Sequence, residues 1–340
     1  MKATTWTSIK TAMSLMLIMM MVFLAACGGN NGANNGNANN NGTQTEQGAS
    51  NTPSEEPSEE PSGNVPGETV YPITVTDATG TELTLEKAPT AIVTLVPSET
   101  ETIFAIGAGK SVVGVDEWSN YPEEAAAVAK IGDMTTNIES VVALNPDLIL
   151  ASSSMNADAI AKLRELNLNV YATNPKTYDE VVAKIEEVGK MVNKQAEAAE
   201  VANRMRDVKE QVVSAVKDAE KKKVYLEFSP GYTVGSGEFL DEIVTLAGGI
   251  NIAASQPGWF EVNAEEVITQ NPEIIIYPDF GEEKSSIVAG IEARPGWDAV
   301  DAVKNNRLVE VSNDPLVRVG PRLADGLLEV AKAIHPELIK

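Results

Sequence analysis

The sequence predicts an α/β protein of two similar lobes, each with a central, mostly parallel sheet flanked by helices, joined by one long helix. Three observations predict it. Short apolar strands alternate with amphipathic helices on both sides of the chain's middle, the pattern of a parallel sheet covered on both faces. Between them, Lys194 to Glu220 holds no Gly or Pro and is rich in Ala, Glu, Lys and Val. As a helix its 27 residues would span about 40 Å, longer than most globular helices. The chain also repeats itself. Glu139-Ser-Val-Val-Ala-Leu-Asn-Pro-Asp-Leu-Ile-Leu150 matches Glu265-Glu-Val-Ile-Thr-Gln-Asn-Pro-Glu-Ile-Ile-Ile276, and Glu101–Gly109 matches Asp241–Gly249 more loosely, in the same order.

The elements follow in order. Ile73 to Asp77 and Glu82 to Leu85 alternate like a hairpin with Ala78-Thr79-Gly80 at its turn. Ile92 to Leu95 reads as a buried strand. Ser98 and Glu101 then have the spacing of a capping box, opening a helix that stops at Gly107-Ala108-Gly109. Val112–Val115, Leu148–Leu150 and Val170-Tyr171 are strands, the last two separated by a helix over Ala157–Leu166. Thr177 and Glu180 form a second capping box, and Gly189 is expected to break the helical stretch that follows. Later strands are expected at Val224–Phe228, Ile274–Tyr277 and Leu308–Val311, and helices at Phe239–Leu246, Ala264–Thr269 and Leu323–Ile334.

The 340 residues suit two domains. Lys2 and Lys10 precede an apolar run from Ala12 to Ala26, shorter than a membrane span and patterned as a secretory signal. The run ends Leu24-Ala25-Ala26-Cys27, which resembles the lipobox of bacterial lipoproteins and implies lipidation of Cys27 after cleavage. Residues 28–69 are Asn-Gly tracts and a Pro-Ser-Glu-Glu repeat, too polar to offset their chain entropy, and read as a disordered tether. The expected organisation is a signal over 1–26, lipidated cysteine and tether over 27–69, an N-terminal lobe over 70–193, the interlobe helix over 194–222 and a C-terminal lobe over 223–340.

Charge and composition remove several functions. Forty-nine acidic against 26 basic side chains leave no basic surface for nucleic acid. A single cysteine excludes an intrachain disulfide and a thiolate cluster, and a single histidine, His335, argues against a His-based metal site or a Ser-His-Asp triad. No Gly-x-Gly-x-x-Gly follows a strand and no Walker motif is present, so an enzyme is not expected.

Ile92–Glu101, Tyr121-Pro122, Asn137–Leu150, Tyr232–Gly235, Gly258-Trp259, Asn271-Pro272 and Arg294-Pro295-Gly296-Trp297 together resemble the substrate-binding proteins of ABC importers. The resemblance is to the class with a single long interlobe helix, which includes cobalamin, siderophore and haem binders. It covers about residues 70–336 and is most similar to the cobalamin branch, from which Ser152 departs where relatives carry an aromatic. It implies capture of a corrinoid in the interlobe cleft, with only a small closure. A ferric siderophore or haem binder of the same class, or a surface adhesin, is the alternative. No protein-held metal or cofactor is expected.

Aromatic loops are the expected ligand contacts: Trp118, Tyr121, Tyr232, Trp259 and Phe260, whose faces offer broad apolar area with few rotors. The resemblance adds Asp314, a partner for corrinoid amides, and Arg318, which can meet a carboxylate or catecholate. Trp297 reads as packing. Glu139 and Glu265 hold equivalent places in the repeat, each just after a capping Asn, and suit the positive end of a helix. Family members use the matching glutamates to dock on arginines of the two-fold permease. The resemblance thus implies a permease dimer with its ATPase subunits as partners. The chain itself is expected to be a monomer, held on the outer face of the cytoplasmic membrane by its lipid, on a Gram-positive cell surface.

Overall fold

A computed structural model describes residues 67–339 except Met134. The signal, Cys27 and most of the tether lie outside the described residues. Thr69, one residue before the expected start of the N-terminal lobe, is bonded to that lobe. Thr69 donates its backbone N–H to Asn193 Oδ1 (2.7 Å) and its hydroxyl to the Lys190 carbonyl (2.7 Å).

The N-terminal lobe opens with a hairpin, β1 (Ile73–Thr76) and β2 (Glu82–Leu85). Then come β3 (Ile92–Thr94), α1 (Pro97–Ala105), β4 (Val112–Val115), α2 (Ile138–Ala143), β5 (Leu148–Ser152), α3 (Ala157–Glu165), β6 (Val170–Thr173) and α4 (Tyr178–Met191). α5 (Gln195–Val216) crosses to the C-terminal lobe: β7 (Lys222–Leu226), β8 (Tyr232–Val234), α6 (Phe239–Leu246), β9 (Gly249–Asn251), β10 (Trp259–Glu261), α7 (Ala264–Gln270) and β11 (Ile274–Asp279). The chain closes with α8 (Ser286–Ala293), α9 (Asp301–Lys304), β12 (Leu308–Ser312), α10 (Asn313–Val317) and α11 (Leu323–Ile334).

Each lobe holds a four-stranded parallel sheet, ordered β4-β3-β5-β6 in one and β9-β7-β11-β12 in the other. In both, the second strand in sequence lies outside the first, and the third and fourth follow on its other side. The repeat read in the sequence is therefore a repeat of topology. Its Asn-Pro step ends α2 and α7 alike: Asn145 and Asn271 both turn left-handed (φ 47°), and the proline after each cannot extend the helix. The acid that follows pins the neighbouring strand. Asp147 accepts from the Ala91 N–H (3.0 Å) and Glu273 from the Lys223 N–H (3.0 Å).

Side chains alternate across each sheet. Ile92, Leu148, Leu150 and Tyr171 face inward with Val224, Leu226, Ile274 and Ile276 of the other lobe, in one apolar core continuous through α4, α5 and α11. Val93, Ile149 and Ala172 face a separate outer core in the first lobe. Tyr225, Ile275 and Trp297 do so in the second. The lobes thus share a packed spine along their helical side.

Several expectations change in detail. α5 has 22 residues rather than the predicted span of 194–222: it ends at Val216, and Lys222 already belongs to β7, beside β9. Pairing with neighbouring strands overrides helix propensity there. Gly189 does not break a helix. It lies buried within α4, where a methyl group would overlap Ala198 of α5, so it sets the close approach of the two helices. The break comes at Asn193, in left-handed backbone (φ 55°). Thr177 caps α4 by accepting from the Glu180 N–H (3.1 Å), while Glu180 reaches back to the Lys176 N–H (2.6 Å). β9, α8 and the β8–β10 pair were not foreseen.

The Ser98–Glu101 capping box does not form. α1 is capped by Val96 with no side-chain bond, and Pro97 opens its first turn. That turn is buried between the lobes. Lys184 of α4 binds Glu99 (2.9 Å) and the Val319 carbonyl (2.8 Å). Glu101 receives Arg318 Nη1 (2.7 Å), together with Arg322 Nε (2.8 Å) and Nη2 (2.6 Å). Both arginines come from the C-terminal lobe. Arg322 lies over the Tyr121 ring, 4.1 Å from its centroid. Removing one partner of a buried ion cluster strands the other charges. Glu101→Ala should therefore lower unfolding free energy by about 3–5 kcal/mol, read from urea denaturation. A loss under about 1 kcal/mol, typical of an exposed pair, would count against the brace.

Candidate functional site

The loops beyond the carboxyl ends of both sheets face each other across a cleft of about 660 Å³. In open α/β sheets this is where ligands bind, at the point where strand order reverses. One wall comes from the segments after β3 (Leu95–Ser98), β4 (Asp116, Trp118), β5 (Ser152, Ser154–Asn156) and β6 (Thr173–Lys176). The other comes from Phe228 after β7, Glu238 and Phe239 at the start of α6, Trp259 of β10, and Asn313, Asp314 and Val317–Val319 after β12.

Of the residues expected at the site, Trp118, Trp259, Asp314 and Arg318 line the cleft. Trp118 is 62% exposed and Trp259 43%. Large apolar side chains left this open within a concavity are unusual, and mark a surface that another molecule covers. Trp297, by contrast, is fully buried.

Three expected contacts lie off the cleft. Tyr121 is held by its stacking under Arg322. Tyr232 stands opposite Glu261 across the β8–β10 pair and points to solvent. Phe260 follows Trp259 in the strand and so faces the other way, into a small hollow with Tyr225 and Val267.

Arg318 is corrected in role. Besides Glu101 it meets Asp314 (2.8 Å), Asn120 Oδ1 (3.0 Å) and the Trp118 carbonyl (3.3 Å), so its guanidinium is committed within the protein. It holds the Trp118 loop of the opposite lobe. Lys176, the other cation on the cleft, is paired with Glu238 (2.8 Å). Asp116, Asp133, Glu238 and Asp314 share the lining, so the cleft carries more negative than positive groups. Sequence reasoning missed Met155, Phe228 and Phe239. Phe228 and Phe239 flank the Trp259 ring at centroid distances of 5.0 and 6.3 Å. The signal that could have found them is their place just after a strand or at a helix start.

Asp116 shapes the Trp118 loop. Its carboxylate accepts from the Trp118 N–H (3.0 Å) and the Ser119 hydroxyl. Ser119 shares a hydrogen bond with Thr100 (2.6 Å), and Lys130 donates to the Asp116 (3.2 Å) and Ser119 (2.8 Å) carbonyls. Burial pushes the Asp116 carboxyl above the ordinary aspartate range, against the lowering effect of these hydrogen bonds and of Lys130 and Arg318.

Glu139 and Glu265 are exposed in the first turns of α2 and α7. Asn137 caps one helix by accepting from Ser140 N–H (3.0 Å), and Asn263 the other from Glu265 N–H (3.0 Å). His335 is buried behind Gly248, away from the cleft lining. Among the described residues no group of three His, Cys, Asp or Glu is placed to hold a metal, and no helix is long and apolar enough to cross a membrane.

Two duplicated lobes, a shared spine and an open aromatic cleft are the architecture of a solute-binding protein. The chain belongs to the periplasmic binding protein family, which it matches over residues 92–315. It is 36% identical over 282 residues to an uncharacterized ABC transporter substrate-binding lipoprotein of Bacillus subtilis (strain 168), covering 80% of this chain and 88% of that one. It is 31% identical over 252 residues to the vitamin B12-binding protein of Vibrio cholerae, covering 70% and 87%. The crystal structure of the vitamin B12-binding protein of that species superposes with a TM-score of 0.65 at 27% identity, covering 73% and 97%. A periplasmic haem-binding protein of Roseiflexus sp. RS-1 does so at 0.66 and 25%, covering 72% and 98%. The chain is thus a substrate-binding protein of the ABC-transporter kind, a class that works with a permease and an ATPase.

The raised Asp116 pKa fixes a sign. The folded state holds that proton more tightly than the unfolded chain, so the contribution is full below the unfolded pKa, about 3.9, and is lost as pH rises through the folded value. Relative to Asp116→Asn, the wild-type protein should lose stability as pH climbs from about 4. Urea midpoints of the two proteins across the acid range read this directly, and parallel curves would contradict it.

Proposed function

We propose that the chain captures a cobalamin-like corrinoid in the interlobe cleft and delivers it to an ABC permease. The observation that carries this is the pairing of two exposed indoles, Trp118 from one lobe and Trp259 from the other, across a cleft whose two cations are already engaged. A corrinoid presents broad apolar faces and a rim of uncharged amides. Indoles suit the faces, and Asp314 and Ser152 suit amide donors on the rim. A ferric catecholate or the propionates of haem would need free cations, and the two cations of the lining are held by Glu238, Glu101 and Asp314, with Asp116 and Asp133 adding further carboxylates. The similarity to a vitamin B12-binding protein supports the same reading.

Glu139 and Glu265 are the proposed docking carboxylates, presented at equivalent points of the two lobes to two equivalent arginines of the permease dimer. The proposed anchor is a lipid on Cys27, holding a monomer on the outer face of the cytoplasmic membrane of a Gram-positive cell; the name of the Bacillus subtilis relative, a lipoprotein, supports the anchor.

Cyanocobalamin should quench the intrinsic tryptophan fluorescence at micromolar concentration or below. Trp118→Ala and Trp259→Ala should each weaken binding by about tenfold or more, as buried aromatic anchors do. A flat titration alongside saturable binding of haem or a ferric catecholate would transfer the assignment to those ligands. Replacing Glu139 and Glu265 together by Lys should abolish uptake into cells while leaving the dissociation constant unchanged. Undiminished uptake would remove them from docking.

A further inference from the structure

The Arg294-Pro295-Gly296-Trp297 motif lies away from the cleft, and capture and docking leave it without a role. Arg294 stands 4.5 Å from the centroid of the buried Trp297 ring and clasps Glu227 with both arms of its guanidinium, Nη1 to Oε2 (2.6 Å) and Nη2 to Oε1 (2.5 Å). The Glu227 carboxylate is wholly buried at the end of β7, one residue before Phe228. A buried carboxylate needs such a partner, and the planar fork is the geometry that satisfies both oxygens at once.

Glu227 does more than accept Arg294. Its Oε1 also receives the Gly231 N–H (2.8 Å), folding Phe228–Gly231 into a tight turn. Gly231 sits in left-handed backbone (φ 81°), which this turn requires. The Gly231 carbonyl accepts from the Val262 N–H (2.8 Å), just beyond the strand that carries Trp259. On the other side of the turn, the Phe228 N–H donates to the Tyr232 carbonyl (3.0 Å), where β8 begins, and β8 pairs with β10 so that Val234 faces Trp259. Phe228 itself packs edge-on against the Trp259 ring. The turn and the strand pair it starts thus hold that indole on one side, while Phe239 of α6 flanks it on the other.

We infer that Arg294 is a positioning residue for the cleft: through Glu227 and Gly231 it sets the turn that places Phe228 and Trp259, fixing the aromatic wall from behind, outside the cleft lining. The inference rests on the reading of the cleft as the ligand site. The wall is thereby set before a ligand arrives, and affinity is not spent on ordering it.

The test uses the full chain labelled with 5-fluorotryptophan, with the Trp259 resonance assigned from Trp259→Phe. Arg294→Met removes the charge, and Arg294→Lys keeps the charge but not the fork, so that one variant folds even where a stranded Glu227 is too costly. Ile160→Ala, in the outer core of the other lobe, is the matched destabilised control. Both Arg294 variants should shift or broaden the Trp259 fluorine signal in ligand-free protein while leaving Trp118 in place, and should raise the dissociation constant for cyanocobalamin by about tenfold. Ile160→Ala should lower the melting temperature without moving the Trp259 signal. A Trp259 resonance unmoved by the Arg294 variants, or moved equally by Ile160→Ala, overturns the inference. Failure of the wild-type protein to bind cyanocobalamin would instead remove the corrinoid reading alone, because the fluorine signals report the wall without ligand.

Discussion

The two lobes are held in register by charge as much as by packing. Glu101 reaches out of the first turn of α1 into the forks of Arg318 and Arg322, and Arg318 then grips the Trp118 carbonyl and Asn120. One guanidinium therefore links the first turn of α1 to the Trp118 loop of the same lobe by way of the other. With Lys184 bound to Glu99 and Val319, and Lys176 bound to Glu238, the lobes are fastened at three points around the cleft. Removing the charges from water is costly, and what the cluster secures is geometry. The apolar spine through α4, α5 and α11 supplies the cohesion.

The lobes also solve one local problem in parallel ways. Each must bring an aromatic residue out of a strand end and hold it open to solvent, against its tendency to collapse onto the nearest apolar surface. Asp116 folds back on the Trp118 N–H after β4, and Glu227 folds back on the Gly231 N–H after β7. A buried carboxylate is a strong acceptor that makes a short turn rigid. Its cost is offset by Arg294 for Glu227, and only in part by Lys130 and Arg318 for Asp116, whose carboxyl stays raised by burial. The aromatic walls are thus fixed by polar contacts hidden behind them.

Much of the architecture was readable in the sequence because it rests on periodicity and repetition. The Asn-Pro-acid step recurs because it does the same work twice, ending a helix and pinning a strand. The helices over Phe239–Leu246 and Leu323–Ile334 agree residue for residue with their apolar spacing. What was not readable depended on partners distant in the chain. Ser98 and Glu101 have the spacing of a local cap, yet Glu101 serves residues 217 and 221 positions away. Gly189 has the composition of a break, and only the neighbouring helix shows that it is a point of contact. At the site, strand alternation could have separated Trp259 from Phe260. Nothing local distinguished Tyr121, which lies under an arginine, from Trp118, which lies open. Arg318 looked like a charge offered to a ligand because its four partners come from three separate segments.

Thr69 is fastened to Lys190 and Asn193, at the corner where α4 gives way to α5. That corner lies one helix away from Lys176 and the rim of the cleft, a distance of about 20 Å for the 14 residues of α4. A load applied at Thr69 would therefore enter the molecule at its helical spine, one helix length from the walls of the cleft.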